Sequence, residues 1–155
     1  MIPEPKLKGL YQEVILDHNR RPRNFTELKD ATQYSHGKNP LCGDDYHLYL
    51  KVNPQGLIEK VGFQGGGCAI SKSSTSIMTT LIEGKTIQEA KDLQEKFLEF
   101  MTSDGVSPET KSGIDRMSIF EGVKDFPIRV KCATLSWHAL GDALSDAEKS
   151  SKGKS

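Results

Sequence analysis

Apolar positions recur along the chain in two different periods, and the changes of period divide it into elements. In "LKGLYQEVILDHNRRPRN", Leu7, Leu10, Tyr11, Val14 and Ile15 follow helical spacing, and Pro22 ends the run. Residues 24–37 are polar and mixed, with a weak strand signal at "ATQYS". The period then becomes two. In "YHLYLKV", Tyr46, Leu48, Leu50 and Val52 share one face, and His47, Tyr49 and Lys51 share the other. "NPQG" at 53–56 reads as a turn. "LIEKVGF" alternates again, with Leu57, Val61 and Phe63 inward. These two runs predict a hairpin with one buried face.

Three glycines at 65–67 break the second strand. Ile70, Ser74, Ile77, Met78, Leu81 and Ile82 then return to helical spacing, and Gly84 ends that helix. Thr86 and Glu89 form a capping-box pair ahead of the next helix, whose apolar stripe is Ala90, Leu93, Phe97, Phe100 and Met101. "TSDGVSPETKSG" at 102–113 predicts an exposed loop, and "IDRMSIFEGV" a short helix. "CATLSWHALGDAL" predicts a last helix, buried through Leu135, Ala139 and Leu140. The segment "SDAEKSSKGKS" is poor in apolar residues, which predicts a disordered tail over 145–155. No repeat and no linker divides residues 1–144. They read as one domain of α+β class, a small antiparallel sheet packed against several helices.

Composition narrows the function. The chain has 155 residues, enough for one unaided core. Lys plus Arg and Asp plus Glu both number 21, so no global charge favours nucleic acid or anionic lipid. No apolar run approaches membrane length, and "MIPEPKLKG" lacks the apolar stretch of a secretory signal. A cytoplasmic protein is expected. Three cysteines cannot all pair internally, and cytosolic thiols stay reduced. Cys42, Cys68 and Cys132 therefore read as free thiols, catalytic thiols or metal ligands.

Each cysteine stands at a boundary between elements. Carrying the alternation back from Leu48 puts Tyr46, Asp44 and Cys42 on one side, at the edge of the apolar layer. An ionised carboxylate there needs compensation. A metal, an arginine or a helix N-terminus would supply it, and so would a turn that Asp44 caps. Cys68 follows the glycines and precedes a helix, where the dipole favours the thiolate. The alternative is a buried cysteine after a glycine-rich turn. Cys132 is expected near the start of the last helix, flanked by the cations Arg129 and Lys131. The alternative is simple packing. Taken together, three thiolates and one carboxylate match four-coordinate zinc in number and type. With a divalent ion they leave a net charge of about −2, which two helix N-termini, Arg129 and Lys131 would offset. His138 lies six positions after Cys132 and points elsewhere, and His47 is on the other side of its strand. His18 and His36 read as surface or helix-terminal histidines. Trp137 reads as a packing residue.

"NPLCGDD", "FQGGGCAISKSSTSIM" and "RVKCATLSWHAL" resemble the motifs of the U-type iron–sulfur cluster assembly family, which contains IscU, SufU and the N-terminal part of NifU. The resemblance runs from about Leu7 to Leu144. It implies a three-stranded antiparallel sheet, packed helices, and a metal site at one end made by Cys42, Asp44, Cys68 and Cys132. Within the family the chain is most similar to the SufU branch. Lys131 precedes the third cysteine where the IscU branch carries a histidine, and residues 102–126 resemble an insertion typical of SufU. "FPIRVK" stands where IscU has its chaperone-binding Leu-Pro-Pro-Val-Lys stretch.

The branch implies zinc binding and sulfur uptake from a SufS-type cysteine desulfurase, with downstream iron–sulfur assembly proteins as further partners. Cys42 is the expected sulfur acceptor, since a loop cysteine can swing out without unfolding a helix. The resemblance implies that a desulfurase side chain then replaces it on the zinc, while Asp44, Cys68 and Cys132 hold the metal. Arg129 is expected to meet the partner or steady the site, and Lys131 to balance charge. Two alternatives stand beside this: a scaffold on which the same four residues hold iron or a [2Fe–2S] cluster, and a purely structural zinc.

Overall fold

A computed structural model of the chain describes residues 5–103 and 114–153, so most of the loop expected at 102–113 lies outside the described residues. The chain begins with helix α1 (Pro5–Arg20), which stops ahead of Pro22. Three strands follow, β1 (Gln33–Asn39), β2 (Asp44–Val52) and β3 (Ile58–Gly66), joined as an antiparallel sheet in the order β1-β2-β3. Then come α2 (Ala69–Ile82), α3 (Ile87–Thr102), a 3-10 helix (Asp115–Asp125) and α4 (Pro127–Gly153). The α+β class and the three-stranded sheet are as expected.

The weak strand signal near residue 33 is a full strand. It reads weakly because its inward positions, Gln33, Ser35, Gly37 and Asn39, are polar or small. Gly37 has a reason to be small. A Cβ there would stand 3.4 Å from Leu135 and 3.5 Å from Ala139, so α4 lies close across β1. The inner face of β2 carries Tyr46, Leu48 and Leu50, all buried.

In β3 the inward residue is Ile58 and not the expected Leu57. An irregularity between Lys51 and Val52 shifts the register, so Lys51 faces Lys60 while Val52 faces Ile58. That extra residue turns the alternation over.

The helices carry the stripes their spacing predicts. Thr86 and Glu89 form the reciprocal capping box of α3, whose Ala90, Leu93, Phe97, Phe100 and Met101 are buried. Trp137 is fully buried, 4.8 Å from the Phe97 ring, and its Nε1 donates to Ser74 Oγ at 3.2 Å. It is a packing residue with its one polar atom satisfied. The short helix expected from Ile114 is a 3-10 helix that buries Met117, Phe120 and Val123.

The last helix differs from expectation at both ends. Pro127 starts it, a position where its missing N–H costs nothing. Cys132 therefore sits in the second turn and not at the helix start. The tail expected to be disordered from residue 145 continues the helix to Gly153. Ala143, Leu144 and Ala147 extend the buried stripe, and Lys91 Nζ meets Glu148 Oε1 at 2.6 Å. Low apolar content misled here because alanine at helical spacing suffices to dock a helix. Among the described residues no helix is long and apolar enough to cross a membrane.

Thr86→Ala removes the acceptor for Glu89 N, at 3.1 Å, and opens the capping box. The variant is expected to lose about 1 kcal/mol of stability. Urea unfolding should show a lower midpoint with an unchanged slope, and an unchanged midpoint would contradict the role given to the cap.

Candidate metal centre

The site is assembled where two connections between elements meet one helix. The first is the turn at 40–43 between β1 and β2. Gly43 takes φ +71 there, which lets the chain reverse directly into β2. Cys42 lies in this turn, half-buried, with its N–H donating to Asn39 O at 3.2 Å. Asp44 opens β2 on the inner face and is 1% exposed.

The second connection is the glycine turn from β3 into α2. Cys68 is the N-cap of α2, and its sulfur accepts from Ser71 N at 3.4 Å. Gly67 is required for a steric reason. A Cβ there would fall 2.1 Å from Asp44 Oδ1 and 2.8 Å from Ser71 Oγ. The bare backbone lets the carboxylate slide beneath the first turn of α2. The third element, α4, brings Cys132 over the same point.

Asp44 Oδ1 is well satisfied. It accepts from Cys68 N and from Ser71 Oγ, each at 3.0 Å. Ser71 Oγ is in turn 2.8 Å from Tyr46 Oη, so a phenol and a hydroxyl together aim the carboxylate. Burial pushes the Tyr46 phenol far above its usual range, which keeps it a neutral donor. Asp44 Oδ2 is different: it is buried and has no hydrogen-bond partner. Asp44 thus does cap a helix start, as one reading of the sequence allowed, but with one oxygen only.

Two sulfur atoms share the neighbourhood of the Asp44 carboxylate, and a third stands beside them. The ligand atoms of Cys42, Asp44 and Cys132 lie within 4.8 Å of one another, and the Cys42 and Cys132 sulfurs are 3.0 Å apart. Cys68 stands beside this trio, in contact with the Cys132 thiol. All three cysteines are free thiols. Cys132 is 3% exposed. Its burial, and then its contacts with Cys42, Asp44 and Cys68, push the thiol far above its usual range. A divalent cation at this point reverses that preference, because it favours every anionic form at once. Three sulfurs and an unpartnered carboxylate oxygen are a donor set suited to zinc. The four sequence candidates come together.

The supporting cations are less uniform. Arg129 is exposed and lines a cavity of about 470 Å³ that opens onto Cys42, Cys68 and Cys132. Lys131 is exposed and does not line it. Among the described residues α2 offers its start to the site directly, through its N-cap Cys68. The first residues of α4 line the cavity, and Cys132 stands in the second turn, beyond the turn where the helix dipole acts most strongly. His18 lies in the last turn of α1, one of the two positions expected for it, and is buried there with Nδ1 2.7 Å from Ser76 Oγ. His36 and His47 face outward from the sheet, and His138 is exposed on α4. Sequence patterning puts Tyr46 on the inner face of β2 and Gly67 in the glycine turn before Cys68, but it ties neither of them, nor Ser71, to the Asp44 carboxylate. Ser71 had a signal, since it stands three residues after an N-cap position.

Residues 10–133 match the family described as NifU-like N terminal domain. The zinc-dependent sulfurtransferase SufU of Bacillus subtilis is 37% identical over 142 residues, which cover 92% of this chain and 94% of that protein. The iron–sulfur cluster assembly scaffold protein IscU of Streptococcus pyogenes is also 37% identical, over 139 residues that cover 90% of this chain and 85% of that protein. A candidate iron–sulfur cluster assembly scaffold protein for the SUF system, from Fervidobacterium islandicum, superposes with a TM-score of 0.80 at 34% identity, covering 88% of this chain and 97% of that one.

Asp44→Asn keeps an oxygen for Cys68 N and Ser71 Oγ and turns the orphan oxygen into an amide. The expected result is a folded protein, by circular dichroism, whose zinc affinity falls at least about 100-fold in competition with a chelator, as befits a lost contact to the metal itself. Unchanged affinity would remove Asp44 from the site.

Proposed function

The chain belongs to the family of the NifU-like N-terminal domain, and from that premise we propose that it serves iron–sulfur cluster assembly as a zinc-dependent sulfur acceptor, fed in the cytoplasm by a SufS-type cysteine desulfurase. The observation that carries this reading is the buried carboxylate of Asp44, with one oxygen unpaired among three free thiols.

Cys42, Asp44, Cys68 and Cys132 would hold the zinc. Bound there, the ion keeps the thiols deprotonated near neutral pH and offsets the charge of the carboxylate. The chain's own residues do the rest. Tyr46 and Ser71 hold Asp44 in place. Arg129, at the rim of the cavity, attracts the anionic persulfide of the donor.

The choice of acceptor follows from what each sulfur already does. Cys68 Sγ caps α2, so moving it would strip a partner from Ser71 N. Cys132 is buried in the second turn of a helix. Cys42 is half-buried in a turn, where a small backbone rotation exposes it. The Cys42 thiolate attacks the terminal sulfur of the desulfurase persulfide. The donor S–S bond breaks, a new S–S bond forms on Cys42, and the donor cysteine leaves as a thiolate. The two partners exchange one sulfur atom at unchanged total oxidation level, so no outside oxidant is needed.

A protein partner suits the surroundings. Phe126 (56% exposed) and Ile128 (63%) line the cavity at the thiols, and Leu41 (78%) is next to Cys42 in its turn. Large apolar side chains this open, clustered at a reactive site, favour docking of another protein. From Cys42 the sulfur passes to downstream iron–sulfur assembly proteins.

One observation favours a second reading, a scaffold on which a [2Fe–2S] cluster is built: the Streptococcus pyogenes relative, at the same 37% identity, is described as an iron–sulfur cluster assembly scaffold protein. Thiolates suit either metal. Anaerobic reconstitution with iron and sulfide separates the two. A stoichiometric visible cluster that passes to an apo-ferredoxin would assign the scaffold role.

Incubated with desulfurase and cysteine, the wild-type chain is expected to carry a persulfide on the peptide containing Cys42, read by mass spectrometry after thiol labelling. Cys42→Ala should remain folded and carry none. A persulfide retained by Cys42→Ala would overturn the assignment.

A further inference from the structure

The pleat of β2 sends Asp44 inward and Asp45 outward, and the outer face holds a second cluster that the sulfur chemistry does not use. His36 on β1 lies directly across from His47 on β2. Their imidazole rings stack at 4.4 Å with planes 6° apart. Both Nε2 atoms approach one oxygen: His36 Nε2 is 2.6 Å and His47 Nε2 is 3.6 Å from Asp45 Oδ1. The three donor atoms lie within 4.8 Å of one another. We propose that His36, Asp45 and His47 form a separate site for a divalent first-row transition ion, bound through two nitrogens and one oxygen.

The far side of His47 supports this. Its Nδ1 is 2.5 Å from Tyr34 Oη. When Nδ1–H donates to that phenol, Nε2 keeps its lone pair and points it at Asp45. A histidine that binds metal characteristically gives its other N–H to an oxygen in this way. In that tautomer the Nε2 lone pair is free for a cation shared with Asp45 Oδ1. An ordinary ion pair needs only one of the two imidazoles.

The chemistry differs from that of the thiol site. Two imidazoles and a carboxylate suit nickel, cobalt, zinc or ferrous iron, with water completing the shell. All three side chains are 37–44% exposed, so a hydrated ion reaches them freely. The paired strands set the two imidazoles side by side, and a turn of one exposed ring brings both Nε2 lone pairs onto a shared ion. The two sites share the backbone of β2 but no ligand.

Nickel is the probe, added to the zinc-loaded full chain. Isothermal titration calorimetry is expected to show one Ni²⁺ bound per chain with zinc retained by elemental analysis. His36→Ala and His47→Ala should each weaken Ni²⁺ binding on the order of 100-fold, and Tyr34→Phe about 10-fold, the scale for an outer partner. Paramagnetic broadening of NMR signals should centre on Tyr34, His36, Asp45 and His47. Absence of a Ni²⁺ binding event, affinity untouched by the histidine variants, or broadening centred on the cysteines would each overturn the proposal. The NMR outcome reads the outer face whether or not the thiols hold zinc, so failure here is distinct from failure of the sulfur-acceptor reading.

Discussion

A carboxylate taken out of water with one oxygen unpaired is the constraint around which this molecule is arranged. Asp44 is 1% exposed, and its Oδ2 has no hydrogen-bond partner. Leaving such an atom unmatched in an apolar interior costs several kcal/mol unless a cation or donor completes it. Much of the local sequence serves to hold it there. Gly67 leaves room beneath α2, Ser71 and Cys68 N–H satisfy the other oxygen, and Tyr46 backs Ser71 from within the core. The order of helix, sheet and helices matters because it brings two turns and one helix to this carboxylate.

The same arrangement divides labour among the cysteines. Identical side chains differ in what their backbones permit. Cys68 is tied to a helix cap, and Cys132 is enclosed by packing. Cys42 rides on a turn whose geometry depends on a left-handed glycine, Gly43. Cys42 is thus the least tied of the three sulfurs, while a helix cap and packing hold the other two. The apolar surface around the opening belongs to the same logic. Its exposure to water is unfavourable, which suits the docking of another protein as proposed.

Much of this was legible in the residues. The period-two run from Tyr46 and the helical stripe from Ala90 to Met101 are local patterns, and local patterns survive folding. Carrying the alternation back to Asp44 located the buried carboxylate, because the pleat admits no other side. What failed was set by tertiary contacts. The inward face of β1 is polar, so periodicity was faint until α4 covered it. The bulge at Lys51 and Val52 exchanged Leu57 for Ile58, and no local signal marks a bulge there. Alanines at 143 and 147 docked a helix that composition alone describes as solvated. Tyr46 looked like core, and its hydroxyl contact with Ser71 arises only when β2 meets α2. Cys132 was placed one turn too early because Pro127 starts its helix instead of merely preceding it.

The central claim is that these separated segments deliver their donors to one ion. X-ray absorption at the zinc K-edge of the purified chain tests it most directly. The account predicts a single first shell of sulfur scatterers with one lighter oxygen, three to one, at stoichiometric zinc. A shell of nitrogen and oxygen alone, or zinc far below one per chain, would contradict it.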